Sequence, residues 1–297
     1  MGKVLVLGGT RYFGKRLVNL LLREGAHDVT VATRGLTEAE FDGPVNRLTV
    51  DRSDETSLAK AAEAGPWDIV YDNICYSPNE ALAAVRAFQG RVGRYVMTST
   101  LSVYGFGKSP AVENDVNPYE YAWGAGERTD MDYGEGKRQA EAVFFQQAGF
   151  PVAAMRIPIV LGPDDYTRRL HFHVERIMNG TPIGLPNLAA EMSFISSAET
   201  ADFLHWLGTG TDLAGPVNAS SDGALTISEL LGLIEGITGK RAIVLPEEEA
   251  GPENESPFGV PSSWVLDISK AKAAGYRFGK VMDWMPDLVG QIVEGKA

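Results

Sequence analysis

The sequence predicts an α/β fold: a doubly wound parallel sheet with a smaller lobe built mainly from the C-terminal part of the chain. Three observations carry this expectation. Short apolar runs such as Val4–Leu7, Trp67–Asp72 and Tyr95–Thr98 stop abruptly at glycine, asparagine or hydroxyl residues, as buried strands do. Helix-length segments with apolar residues at helical spacing separate these runs. A glycine loop, Gly8-Gly9-Thr10-Arg11-Tyr12-Phe13-Gly14, joins the first run directly to the first helix. Glycines in such a loop let the backbone turn sharply and approach a phosphate, whose charge the free N–H groups of the following helix can hold.

In chain order, the first strand is followed by a helix from Tyr12 to about Arg23, with Phe13, Leu17, Leu20 and Leu21 on its apolar face. Gly25 closes it before a second strand, Asp28–Val31. This is half of a Rossmann-type βαβ nucleotide-binding unit. Its loop departs from the dinucleotide fingerprint, because Arg11 stands where the middle glycine is usual. An NAD-preferring site places an acid at the end of the second strand to bind the ribose 2′-hydroxyl. Ala32, Thr33 and Arg34 stand there instead. A missing carboxylate beside an arginine suits a 2′-phosphate, so NADP is expected over NAD, with Arg11 assisting. The plainer role for Arg34 is a solvated charge at a strand end.

The third strand, Val45–Val50, ends in Asp51-Arg52. Ligands of such sheets sit outside the strand C-termini, so Asp51 either meets the adenine or caps the Ala-rich helix Glu55–Ala64. Trp67–Asp72 is the fourth strand, and its continuation from Asn73 to Tyr76 lines the cofactor crevice, with Cys75 there for packing. A helix over Asn79–Gln89 leads to the fifth strand, which ends in the hydroxyl cluster Thr98, Ser99, Thr100, Ser102 and Tyr104. Further on, Tyr133-Gly134-Glu135-Gly136-Lys137 opens another helix. A four-residue spacing puts Tyr133 and Lys137 on one helical face. An ammonium beside a phenol lowers the phenol's pKa from ~10 towards neutrality, so that a phenolate can take a hydroxyl proton.

The chain has 297 residues, 44% of them hydrophobic, which is ample for one large α/β unit or for a main domain with a lobe. Its formal charge of −12 repels nucleic acid and anionic membranes at long range, so any phosphate must be bound locally. One cysteine excludes an internal disulfide framework and fits a reducing compartment. No apolar run approaches the ~20 residues of a membrane span, and Met1-Gly2-Lys3 leads into a strand without a signal-peptide core, so a cytoplasmic protein is expected.

Taken together, glycine loop, hydroxyl strand end and Tyr-x-x-x-Lys resemble the short-chain dehydrogenase/reductase superfamily in its extended or atypical branch, the NAD-dependent epimerase/dehydratase family. Thr98-Ser99-Thr100-Leu101-Ser102-Val103-Tyr104-Gly105 looks like that family's hydroxyl-rich segment, and Met155-Arg156-Ile157-Pro158 with Gly162-Pro163 looks like the stretch that packs on the nicotinamide. Phe194-Ile195, Thr226–Ile234 and Leu266–Gly275 resemble the branch's C-terminal landmarks. The opening Gly-Gly-Thr-Arg-Tyr-Phe-Gly is similar to an atypical subgroup that includes chloroplast stem-loop-binding proteins, which makes Arg11 a subgroup trait. The resemblance implies Thr100 as the residue that hydrogen-bonds the reacting oxygen, Tyr133 as acid/base, and Lys137 as the residue that binds the nicotinamide ribose and activates Tyr133. It further implies that Gly8, Thr10, Arg11, Tyr12, Phe13, Gly14, Arg34, Asp51, Arg52, Asn73, Tyr76, Thr98, Pro158 and Ile159 contact the dinucleotide.

Departures bear on the substrate. The dehydratases' Asp-Glu pair is replaced by Leu101-Ser102, which disfavours water loss. Two nucleotide-sugar anchors of the epimerases, an Asn and an Arg, are replaced by Ile159 and Met192, which leaves Arg168, Arg169 or Arg176 to supply charge from the lobe. The activity implied is hydride transfer between nicotinamide and a secondary alcohol or ketone of a sugar-like, nucleotide-sugar or other small metabolite. A dinucleotide-binding regulatory or RNA-binding protein is the alternative, against which the acidic charge argues.

The expected division is a dinucleotide-binding domain over 1–163 and a substrate lobe over 164–297, with segments near 190–220 returning to the sheet. In the lobe, Tyr166–Met178 reads as a helix, Thr181–Ile183 as an edge strand, Ala198–Leu207 as a helix and the acidic run Glu247–Pro257 as a solvated loop. His171 and His173 face different sides of a helix, so no metal is expected. Trp264, Trp284 and Phe278 read as packing residues without a ligand. A homodimer through the helices that start near Asn79 and Tyr133 is expected. The stripe Ala81, Ala84, Val85 and Phe88 serves either that interface or the sheet.

Overall fold

The computed structural model describes residues 1–297. The N-terminal half runs β1 (Gly2–Leu7), α1 (Tyr12–Glu24), β2 (His27–Thr33), β3 (Asn46–Thr49), α2 (Glu55–Glu63), β4 (Trp67–Asp72), α3 (Pro78–Phe88), β5 (Val92–Thr100), α4 (Tyr133–Gln147) and β6 (Val152–Ile157). Then follow β7 (Ile159–Leu161), α5 (Arg169–Asn179), β8 (Pro182–Leu185), β9 (Glu191–Met192), β10 (Phe194–Ser196), α6 (Ser197–Thr209) and β11 (Gly215–Asn218). The chain ends with β12 (Leu225–Thr226), α7 (Ile227–Thr238), β13 (Ile243–Pro246), α8 (Glu247–Ala250), α9 (Ser269–Ala273) and α10 (Met285–Val293).

Seven strands form one parallel sheet in the order β3-β2-β1-β4-β5-β6-β11. Chain order reverses between β1 and β4, and a crevice opens at such a switch point beyond the strand C-termini. Alternation within β1 shows why the sheet is covered twice. Val4 and Val6 pack with Leu17, Val18 and Leu21 of α1 and with Phe203, Leu204 and Leu207 of α6. Leu5 and Leu7 point the other way, into a core with α2, α3 and α4. The stripe Ala81, Ala84, Val85 and Phe88 is buried in this second core, so it covers the sheet and leaves no apolar face of its own to a partner.

A separate core holds the C-terminal lobe together, drawing on α5, α7 and α10 and on the strands β7, β8 and β9. Ile159 and Met192 are buried in it. The lobe differs from expectation in two places. Its first helix starts at Arg169 rather than Tyr166, because Asp165 Oδ1 accepts hydrogen bonds from the Thr167 backbone N–H at 2.9 Å and its hydroxyl at 2.6 Å, holding a turn. Arg168 then enters the helix in the left-handed region at φ 52°. The acidic run is not simply a solvated loop either. It folds into α8 and a 3₁₀ turn over Pro252–Asn254, and Arg176 on α5 donates to Pro182 O at 2.8 Å and to Glu253 O and Asn254 Oδ1. That docking was invisible in sequence because its partner lies far along the chain. The strand predicted at Thr181–Ile183 is β8, paired in parallel with β13.

No three His, Cys, Asp or Glu side chains cluster as metal ligands do. His173 is fully buried, stacked on Phe258 at 4.5 Å and hydrogen-bonded to Arg169 O and Ser256 Oγ at 2.9 and 2.7 Å. Burial pushes its pKa down from 6.5 to about 4, against the pull of the Arg169 carbonyl. Between pH 6.5 and about 4 the unfolded chain therefore binds a proton that the folded chain refuses, so this contribution to stability is complete above pH 6.5 and is lost as pH falls through that window. At ~1.4 kcal/mol per pKa unit the loss is on the order of 3 kcal/mol. Urea denaturation of His173→Gln and wild type at several pH values tests this: the stability difference between them should shrink steadily from pH 7 to pH 4.

Candidate active site

Beyond the C-terminal ends of the strands lies a cleft of about 1160 Å³. Small-molecule pockets commonly span roughly 300–1,000 Å³, so this cleft lies at the large end. At one wall the glycine loop is drawn tight. Gly8 has φ 82°, open to glycine alone at little cost, and a Cβ on Gly14 would stand 2.4 Å from Gly8 O. Asn73, at the end of β4, donates to Gly8 O at 3.3 Å and accepts from the Thr98 hydroxyl at 2.7 Å, tying loop, β4 and β5 together. The start of α1 is thereby left facing the cleft, the cradle a diphosphate requires.

The opposite wall is made by β5 and α4. Gly134 and Gly136 sit where a Cβ would meet Ser102 O at 2.6 Å and Tyr76 O at 2.5 Å, so the helix start packs directly on two backbone segments. Tyr133, at the first position of α4, is 52% exposed and opens to the cleft. Lys137, one turn later, is 1% exposed; its ammonium donates to Thr98 O at 2.7 Å and lies 4.5 Å from the Tyr76 ring centroid. The Thr100 hydroxyl accepts from Ser102 N at 3.1 Å. Thr100, Tyr133 and Lys137 thus share one wall of the cleft.

The remaining predicted residues also border this cleft. Thr10, Arg11, Tyr12 and Phe13 follow Gly8 along the loop; Arg34 and Asp51 stand at the far end; Pro158 and Ile159 close the side towards the lobe. Arg34 is exposed. Asp51 is held below the usual carboxylate range by hydrogen bonds from the Ser53 side chain and backbone, with a smaller contribution from Arg34. Arg52 stands apart from its neighbours. Its guanidinium is buried, ion-paired to Asp72 at 2.7 Å and bonded to Glu80 O at 3.0 Å. Burial alone would raise the Asp72 carboxyl, but Arg52, with hydrogen bonds from the Tyr95 hydroxyl and the Ile74 N–H, holds it low.

Several cleft residues lie outside the cofactor and catalytic sets expected from sequence, although Arg169 is one of the arginines expected to supply charge from the lobe. Arg128, from the irregular segment before α4, lies 4.1 Å over the Tyr76 ring, pairs with Glu80 at 2.6 Å and donates to Ile74 O at 3.1 Å. Asp165, Tyr166, Thr167 and Arg169 come from the turn ahead of α5, and Trp264 comes from the C-terminal part of the lobe. Trp264 packs against the lobe core, as expected, and also borders the cleft. Trp284 and Phe278 do pack: Trp284 Nε1 donates to Ser221 Oγ at 3.1 Å and Phe278 stacks on Phe203 at 5.4 Å.

A profile of the NAD dependent epimerase/dehydratase family matches residues 4–213. The chain belongs to this family. Among characterised relatives, it is 24% identical to the chloroplast stem-loop binding protein of 41 kDa b of Arabidopsis thaliana, over 99% of this chain and 77% of that one. It is 26% identical to UDP-glucuronic acid decarboxylase 6 of the same plant, over 96% and 84% of the two chains. The fold is that of Thermus thermophilus UDP-glucose 4-epimerase in complex with NAD, with a TM-score of 0.71, 21% identity and coverage of 99% and 100%. It also matches the UDP-glucuronic acid 4-epimerase of Bacillus cereus in complex with UDP-glucuronic acid and NAD, with a TM-score of 0.74, 17% identity and the same coverage.

The geometry of Arg52 generates a prediction. Replacing it by methionine leaves Asp72 buried without its partner, so Arg52→Met should lower unfolding free energy by about 3–5 kcal/mol in urea titrations. A residue serving only the cofactor would instead lose dinucleotide affinity at unchanged stability.

Proposed function

We propose that the protein is a nicotinamide-dependent enzyme of the short-chain dehydrogenase/reductase type that oxidises, reduces or epimerises a secondary alcohol or ketone carbon of a sugar-like metabolite. The observation that carries the reading is the sharing of one cleft by the tight glycine loop and by Thr100, Tyr133 and Lys137. Family membership supports it. The first half of the chain, 1–163, is taken to hold the dinucleotide and the second half the substrate.

When bound, the dinucleotide supplies the hydride chemistry. Gly8 and Gly14 admit its diphosphate to the start of α1, and Asn73 and Thr98 hold that loop against the strand ends. Tyr133 exchanges a proton with the substrate oxygen, while Thr100 hydrogen-bonds the same oxygen. Lys137, fixed by Thr98 O, provides a positive charge beneath the reacting group. Pro158 and Ile159 give the nicotinamide an apolar wall.

Arg34, with Ala32 standing where an acid would close β2, makes NADP the preferred cofactor in this reading, with Arg11 assisting; NAD is the cofactor held by the solved relatives named above. A homodimer is inferred from the resemblance to extended relatives, not from the α3 stripe. The buried, unpaired Cys75 suits a cytoplasmic protein, and no helix is long and apolar enough to cross a membrane. A charge of −12 weighs against RNA as the ligand.

Two measurements test the reading. In fluorescence titrations NADPH should bind more tightly than NADH, and Arg34→Ala should weaken NADPH by roughly ten- to a hundredfold while sparing NADH, as the loss of a charged hydrogen bond requires. Tyr133→Phe should bind the cofactor normally and lose about 10²–10⁴ in turnover; turnover equal to wild type removes Tyr133 from the chemistry.

A further inference from the structure

Arg128 borders the cleft from the irregular segment ahead of α4, and neither the expected cofactor set nor the catalytic set contains it. Its side chain is 48% exposed, yet it is firmly held. Nε pairs with Glu80 Oε1 at 2.6 Å, Nη2 donates to Ile74 O at 3.1 Å, and the guanidinium carbon lies 4.1 Å from the Tyr76 ring centroid. Nη1 has no acceptor in the protein, so one edge of the donor fork is left for a ligand. The backbone around it is fixed as well. Gly126 N donates to Asn79 Oδ1 at 3.1 Å, Asn79 Nδ2 donates to Glu127 at 2.7 Å, and Glu127 N donates to Asp130 at 2.8 Å. A cation with so little freedom left to lose takes up an anion at low entropic cost.

Its neighbours place Arg128 near the glycine loop and between the two ends of the dinucleotide site. Ile74, whose carbonyl it holds, abuts that loop: a Cβ on Gly8 would stand 2.8 Å from Ile74 Cγ2. The Tyr76 ring that carries Arg128 also meets the Lys137 ammonium, 4.5 Å from its centroid, at the nicotinamide end. At the other end Asp51, held low chiefly by hydrogen bonds from Ser53, feels the charges of Arg34 and Arg128 as well. Between the two riboses of a dinucleotide lies its diphosphate. Three acids border the same region. Glu80 pairs with Arg128 itself and accepts from the Tyr76 N–H at 2.6 Å, while Asp51 and Glu127 are outnumbered by Arg11, Arg34 and Lys137. The free edge of a guanidinium fork held in this way suits phosphate oxygens.

We infer that Arg128 binds the dinucleotide's diphosphate, supplying from the segment ahead of α4 a charge that complements the glycine loop. This inference rests on the proposed nicotinamide-dependent activity and adds a residue to its cofactor site. A diphosphate is common to NADH, NADPH and ADP-ribose. In titrations of the full-length protein, Arg128→Met should therefore weaken all three by the same factor, roughly ten- to a hundredfold, unlike Arg34→Ala. The dissociation constants of the wild type should also rise more steeply than those of Arg128→Met as NaCl is raised from about 50 to 500 mM, because salt screens a phosphate contact. Loss of the Glu80 pair alone would lower affinity without changing that slope. Arg128→Lys, which keeps a charge for Glu80 but has no fork, should weaken the three ligands alike by a smaller factor. A loss confined to NADPH overturns the inference by moving Arg128 to the 2′-phosphate. Parallel salt slopes, or unchanged affinity for all three ligands in both variants, overturn it too and leave the proposed activity standing. Wild-type protein that binds neither NADH nor NADPH removes the proposed activity, and this inference with it.

Discussion

Arg156, fully buried at the end of β6, satisfies all of its N–H donors inside the protein. Nε and Nη2 pair with the equally buried Glu141 of α4, at 3.0 and 2.5 Å, while Nη1 reaches the Tyr104 hydroxyl and Glu113 O and the second N–H of Nη2 reaches Val116 O, at 2.8–3.0 Å. A planar guanidinium is suited to this work because its donors form a fixed fork. Glu141 also accepts from the Ser99 hydroxyl on β5. One ion pair thus fixes β5, β6, α4 and the irregular segment after Tyr104 relative to one another. Lys137 lies on the same helix one turn before Glu141, so its height above β5 follows from that pair. Breaking it would leave a charge in the core, which is far more damaging than the net value of the pair itself.

Where the sequence was informative, the constraint was local. Gly8 and Gly14 were legible because a positive φ and a close backbone approach leave only one residue type, and Tyr133 and Lys137 because helical spacing alone puts them on one face. The sheet was legible because strand runs ended where helices began. Arg128, Asp165 and Trp264 were not, since each reaches the cleft from an irregular segment whose path is set by contacts distant in sequence. Arg128 depends on Glu80 and Tyr76, 48 and 52 residues earlier. Arg52 lines the cleft, as expected, but its main partner was not legible. Its position at a strand end matched a binding residue, yet its long side chain turns to Asp72 on β4, a strand that sequence spacing cannot place beside it.

Electrostatics reconcile an acidic protein with an anionic ligand. A formal charge of −12 sets a repulsive field at long range, but screening limits that field to a Debye length of about 8 Å at physiological salt. Within the cleft the cations outnumber the acids: Arg11 on the glycine loop, Arg34 at the end near Asp51, and Arg128 and Lys137 against the Tyr76 ring are among them. Tyr76 lies within reach of both Arg128 and Lys137, so one aromatic ring helps to hold two like charges at the same end of the site. Specific binding of a nicotinamide dinucleotide therefore needs no basic surface, and a long polyanion, which must lie across the surface, gains little from a cleft of this kind.

The two halves of the cleft meet at Tyr12. Its backbone, at φ 52°, occupies the left-handed region, a conformation that costs roughly 1–2 kcal/mol outside glycine and persists only where the surroundings impose it. The surroundings here are the turn ahead of α5: Tyr166 meets the ring edge-on at 6.0 Å, and one turn further along α1 Arg16 pairs with Asp164 at 2.8 Å. Tyr12 lies within the glycine loop, so that loop is in contact with the segment that carries Asp165 and Arg169. The glycine loop and the turn ahead of α5 are thus joined by direct side-chain contact.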